Sequence, residues 1–245
     1  MNHPSRIASF VVSAVSVVSL SALAALTLPL AARAQSAAGA DAQAQADPGA
    51  APDLLALGLT GNRFPPLQFD ELDATQQAMV RSVLAGPRNN LGGPFNVMLR
   101  SPELGDRMQN LGAYARFNPV LDAKINELAI IMTARYWTAQ FEWYVHKNAA
   151  LRAGLSEQIV DAIATGRRPS AMSPDETAAY DLCNELLNEH RVSDATFATA
   201  VETFGERGVV DIIGSVGYYS LVSMLLNVDE YPMPEGVAPE LAPLR

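Results

Sequence analysis

An all-α domain is expected for the body of this chain, on three grounds. Helix-start signals recur along it, apolar residues repeat at helical spacing, and no alternating strand run flanked by hairpin turns occurs. After an irregular stretch with Gly61, Pro65 and Pro66, Asp73-Ala-Thr-Gln76 forms a candidate capping box, in which each end satisfies the other's free backbone donor. Its helix should reach about Leu84, before Gly86-Pro87 and Gly92-Gly93-Pro94 break the chain. Ser101-Pro102-Glu103 then supplies an N-cap hydroxyl, a proline at the first helical position and an acid in the first turn of a helix running to about Tyr114. The segment from Asp122 to Tyr136 carries Ile125, Leu128, Ala129 and Met132 at helical spacing and should be well buried. Ser156-Glu157 starts a short helix that stops at Gly166. Ser173-Pro174-Asp175-Glu176, a capping box with proline at the first position, starts one reaching about Glu189. Ser193-Asp194 opens another, with Phe197, Ala200, Val201 and Phe204 on one face and Gly205 as its stop. In the last apolar stretch, Val209 to Leu226, Gly214 and Gly217 imply close backbone approach at some cost in helix propensity.

With 245 residues, 49% hydrophobic and 18% charged, the chain can build one sizeable core. A net charge of -9 and a pI near 4.8 give no electrostatic footprint for nucleic acid. The single cysteine, Cys183, excludes an internal disulfide, a CxxC redox pair and a cysteine-based zinc site, and its neighbours Ala179, Leu182, Leu186 and Leu187 make it a small core residue. From Ile7 to Ala32 there is no charged residue; Arg6 precedes the run and Ala32-Arg33-Ala34 closes it. This is the pattern of a secretory signal peptide over residues 1–34, cleaved after Ala34, which implies export to the periplasm or medium and no lasting membrane insertion; the rival reading is an uncleaved anchor. Residues 35–52, nearly all Ala, Gln, Gly, Asp, Ser and Pro, read as a solvated tether, and residues 53–245 as one domain.

Beyond the signal segment only His146 and His190 are available to an imidazole mechanism. His190, beside Arg191 at a helix end, suits a structural role. His146 lies four residues after Glu142, on the same helical face, and a carboxylate there can fix the imidazole's tautomer and stabilise its charged form. The spacing also suits a solvated surface pair. Against that, Trp137, Phe141, Trp143 and Tyr144 surround it with aromatic rings able to exclude water, and a further acid, Glu127, lies in the preceding apolar helix. On one straight helix Glu127 and Glu142 would stand ~22 Å apart, so their cooperation requires a chain break. Trp137-Thr138-Ala139 is the expected place, with Thr138 as cap of the helix bearing Glu142 and His146. Without an HExxH spacing or a second nearby histidine, a metal site is disfavoured.

Glu127-Leu-Ala-Ile-Ile, Phe141-Glu142-Trp143-Tyr-Val-His146 and Ala153-Gly154-Leu155-Ser156 together resemble the carboxymuconolactone decarboxylase family, which includes the alkylhydroperoxidase D proteins. The resemblance is closest over roughly residues 100–170 and weaker through Phe204-Gly205, Gly217-Tyr218-Tyr219 and the Asn227 to Gly236 tail. It implies an alkylhydroperoxidase D-like helical bundle and, as commonly in the family, a trimer or hexamer. The peroxidase branch works with a CxxC pair, whose two positions fall here at Ala139 and Glu142, so thiol peroxidase activity is disfavoured. The decarboxylase-like branch implies His146 as general acid, Glu142 as its partner and Glu127 as relay, acting on a small lactone or oxo-carboxylic acid without metal or organic cofactor. Trp143, Tyr144 and Arg135 are the candidate substrate-binding residues, Arg135 as the cation for a carboxylate. The alternative is a non-catalytic oligomeric small-molecule-binding protein, in which the same three polar groups form a buried network.

Overall fold

The computed structural model describes residues 51–243, so residues 1–34, expected to be a signal peptide, and nearly all of the expected tether, residues 35–52, lie outside the described residues. Among the described residues there are eight α-helices and no strand: α1 (Ala74–Ala85), α2 (Phe95–Met98), α3 (Pro102–Phe117), α4 (Ala123–Tyr136), α5 (Gln140–Arg152), α6 (Glu157–Ala164), α7 (Pro174–Asn184) and α8 (Asp194–Asp229).

The local start signals are realised where the side chain closes on the backbone. Asp73 accepts from the amides of Thr75 and Gln76 while Gln76 reaches back to the Asp73 amide. Ser173 and Glu176 form the second capping box, and Ser156 and Ser193 cap α6 and α8. Ser101 is an exception: its backbone is not in the usual capping conformation and its hydroxyl makes no cap bond, so Pro102 alone marks the start of α3. The short helix α2 follows directly on Gly92-Gly93-Pro94, where a break alone was expected, and its four residues are all buried. Gly205 interrupts α8 with a left-handed φ of 68°, as its reading as a helix stop requires, although the helical bonding resumes beyond it.

Helix α4 is the centre of the packing, with Ile125, Leu128 and Ile131 buried against α5, α7 and α8 and Ile130 buried in the second cluster with α1, α2, α3 and α8. The buried side chain of Asn126 ties three helices together: its Nδ2 donates to the Ala115 carbonyl at 2.9 Å, and its Oδ1 accepts from Ser215 Oγ at 2.8 Å. Cys183 is fully buried in the same core, and burial pushes its thiol up to about 12. Helix α8 is long and apolar enough to cross a membrane, but more than half of that apolar window is buried within the domain, as expected of a core helix.

The approach of α3 to α8 depends on Gly112, where any Cβ would overlap the Tyr218 ring. Replacing Gly112 by Ala is therefore expected to destabilise the fold by about 1–3 kcal/mol, despite alanine's better helix propensity. Chemical denaturation of the variant checks this.

Candidate functional site

The break expected between Glu127 and Glu142 lies at Trp137–Ala139, and α4 and α5 fold back on each other as a hairpin. The turn is built from backbone bonds: the Thr138 amide donates to the Arg135 carbonyl at 3.0 Å and the Ala139 amide to the Ala134 carbonyl at 2.9 Å, the Schellman pattern. Thr138 takes the left-handed position, φ 49°, that glycine usually fills. It therefore terminates α4 and does not cap α5, whose N-cap is Ala139 without a side-chain bond.

The hairpin register brings the three polar groups together. His146 Nδ1 lies 2.7 Å from Glu127 Oε2 on α4, and its Nε2 lies 3.0 Å from Glu142 Oε1, one turn earlier on α5. The imidazole is 2% exposed. Its pKa responds to opposing influences: burial pulls it down, but the Glu142 charge and the hydrogen bonds to Glu127 and Glu142 prevail and raise it to about 9. At neutral pH His146 is thus an imidazolium donating both N–H groups to carboxylates.

Beside it lies a cavity of about 420 Å³. Glu142 and His146 reach its wall, whereas Glu127 sits behind the imidazole. Phe141, Tyr218, Tyr219 and Val222 provide the apolar wall, and the Tyr219 ring meets the imidazole edge-on at 4.8 Å between centroids. The Tyr219 hydroxyl is buried without a partner among the described residues. Burial pushes its pKa well above the ordinary tyrosine value, so it is a neutral donor. Gly93, which needs its φ of +79°, lets the loop before α2 close over Phe141.

Two cations complete the lining, Arg88 from the loop after α1 and Arg116 from the last turn of α3. Neither takes part in any ion pair among the described residues. Arg88 packs over Phe95 and one of its terminal nitrogens is buried without a partner.

The three expected substrate-binding residues are placed elsewhere. Trp143 follows Glu142 and so points about 100° around α5, into the core, where its indole N–H donates to Glu240 at 3.3 Å. Tyr144 is half-buried and does not line the cavity. Arg135 lies eight residues past Glu127, ~12 Å further along α4, and its guanidinium donates to the Ala242 carbonyl at 2.7 Å. The arginines at the cavity were missed because Arg88 and Arg116 come from elements distant in sequence. Tyr219 lay in a segment read only for its glycines and its weaker family likeness.

Comparison with known proteins follows the same lines. Residues 102–185 match the carboxymuconolactone decarboxylase family. No curated protein matches the chain in sequence. Among solved structures, a crystal structure from Agrobacterium tumefaciens, described as a protein of unknown function and as an antioxidant defence protein of the AhpD type, is similar with a TM-score of 0.51 and 18% identity, covering 58% of this chain and 98% of that one. The matched stretch contains Glu127, Glu142 and His146, so about a third of the chain, including the site, is similar to the carboxymuconolactone decarboxylase family, and the helical fold is AhpD-like.

Proposed function

We propose that the protein is an exported, cofactor-independent carboxy-lyase acting on a small lactone or oxo-carboxylic acid. The observation that carries this reading is a buried imidazole held between two carboxyl groups, the outer of which opens onto a cavity lined by two arginines without an ion pair among the described residues. Arg88 and Arg116 hold the anionic substrate and offset the negative charge of the triad. The bond to the departing carboxylate breaks, carbon dioxide leaves, and the electron pair passes into the conjugated carbonyl as an enolate, to which the Tyr219 hydroxyl donates. Carbon then takes a proton.

Both imidazole N–H groups already face carboxylates, which refines the division of labour. The Nε2 proton of the His146 imidazolium passes through the Glu142 carboxylate to carbon, which leaves the imidazole neutral; Glu127 holds the ring from behind, and a proton from solvent restores the imidazolium for the next turnover. Cys183, buried in the α7 core away from the cavity, has no part in this, so peroxidase chemistry is disfavoured.

The test is a screen of the protein against lactones and oxo-carboxylic acids for carbon dioxide release. A substrate is expected whose turnover falls at least tenfold, mainly through KM, in Arg88→Ala or Arg116→Ala. Ligand binding without release of carbon dioxide from any substrate would favour the non-catalytic binding protein. The charge-free run ending at Ala32-Arg33-Ala34 supports export, and N-terminal sequencing of the exported protein should begin at Gln35.

A homo-oligomer is supported by an apolar stripe on α8. Val210, Ile213, Met224 and Val228 are exposed there, and Gly214 and Gly217 meet no neighbour within the chain. Ile213→Glu is expected to reduce the mass seen in light scattering to that of a smaller species while leaving the helical signal unchanged.

A further inference from the structure

We propose that a second, smaller cavity binds a tetrahedral oxyanion, inorganic phosphate or sulfate, and that Arg135 is its principal ligand. The cavity lies where the C-terminal ends of α4 and α6 meet α7, and its volume is about 110 Å³. Its polar lining comprises Arg135, Tyr136, Arg167, Tyr180, Asn184 and Asn188, with no acid among the lining residues.

Arg135 is the reason a ligand is required. It is 4% exposed, and its one hydrogen bond runs from Nη2 to the Ala242 carbonyl. Its Nε and Nη1 are buried without partners among the described residues, and none of the ion pairs there involves it. Burial lowers its pKa with no carboxylate to offset the effect. A guanidinium nevertheless stays charged, and a buried charge without a counter-charge is destabilising. The last turn of α4 offsets part of this through the helix dipole, but it leaves two N–H directions unused.

The cavity that Arg135 lines suits a small dianion in size, donors and charge. At ~30 Å³ per water, its volume is that of about four water-sized oxygen atoms. The Tyr180 hydroxyl and the Asn184 amide donate no hydrogen bond elsewhere among the described residues, and Asn188 is held beside Asn184 by a 3.0 Å bond between their side chains. Arg167, exposed at the rim, supplies the second positive charge. An ion in this position would join α4, α7 and the C-terminal segment. That segment is already clasped by Gln140, which donates to the Leu241 carbonyl at 2.7 Å and accepts from its amide at 3.0 Å.

Thermal denaturation of the full chain in phosphate, sulfate and chloride at matched ionic strength tests the proposal. A saturable rise in Tm with phosphate and sulfate, absent with chloride, is expected. The apparent Kd should weaken at least fivefold in Arg167→Ala, an exposed change that leaves the core intact, and in Asn184→Leu. It should be unchanged in a variant carrying both Arg88→Ala and Arg116→Ala, which separates this cavity from the one beside His146. A response equal in all three anions, or one unchanged by Arg167→Ala and Asn184→Leu but lost with Arg88 and Arg116, overturns the proposal.

Discussion

Replacement of Glu142 by Gln is expected to lower kcat for carbon dioxide release by about 10²–10⁴-fold while leaving Tm within a few degrees of the parent, since general acid catalysis by a positioned group contributes on that scale. Glutamine keeps the length of the side chain and an oxygen able to accept from His146 Nε2, so the hairpin contact survives. It cannot carry a proton to carbon. KM should change little, because Arg88 and Arg116, not Glu142, hold the substrate carboxylate. The measurement is steady-state kinetics alongside a denaturation curve. Loss of fold in step with loss of activity would assign Glu142 to the scaffold.

His146→Gln carries the opposite balance. The two carboxylates that face the imidazole would then be left in a buried site without their cation, and breaking a buried charged set in this way destabilises by about 3–5 kcal/mol. The effect depends on pH. The folded-state pKa of His146 lies above its ordinary value of 6.5, at about 9, so its contribution to stability is fully present below pH 6.5 and is lost as pH rises through 9. That contribution is about 3 kcal/mol at its fullest, from the linkage between pKa and folding. Urea denaturation of the parent should therefore show a fall in stability between pH 6.5 and 9 that is absent from His146→Gln. Activity should fall over the upper part of the same range, since only the imidazolium can reload Glu142. A parent protein whose stability is flat across that interval would show that His146 is held neutral.

The two predictions depend on different levels of legibility in the chain. Helix starts at Asp73, Ser156, Ser173 and Ser193 were readable because a capping bond is local: the side chain and the amides it satisfies lie within three residues. The chain break between Glu127 and Glu142 was readable from geometry, since a straight helix could not bring them together. Its chemistry was not, because whether Thr138 caps the second helix or ends the first depends on a left-handed backbone that threonine does not advertise.

The side on which a residue faces was the main loss. Trp143 is next to Glu142 in sequence and inside the core in space, while Arg135, the nearest arginine in sequence, belongs to another cavity. The cations that do meet the site, Arg88 and Arg116, and the tyrosine beside the imidazole, Tyr219, are separated from it by tens of residues and brought there only by the packing of α3, α8 and the loop after α1 around the hairpin. No local pattern carries that information.

Nitrogen-15 NMR of the imidazole ring, followed from pH 6 to 10 on the intact protein, addresses the triad without any substrate. Both ring nitrogens of His146 should give the protonated, hydrogen-bonded signature at pH 8 and titrate together near pH 9, and in Glu127→Gln the midpoint should move downward. A midpoint near 6.5, or a ring carrying a single proton at neutral pH, would contradict an imidazolium clamped between two carboxylates and with it the relay built on that arrangement.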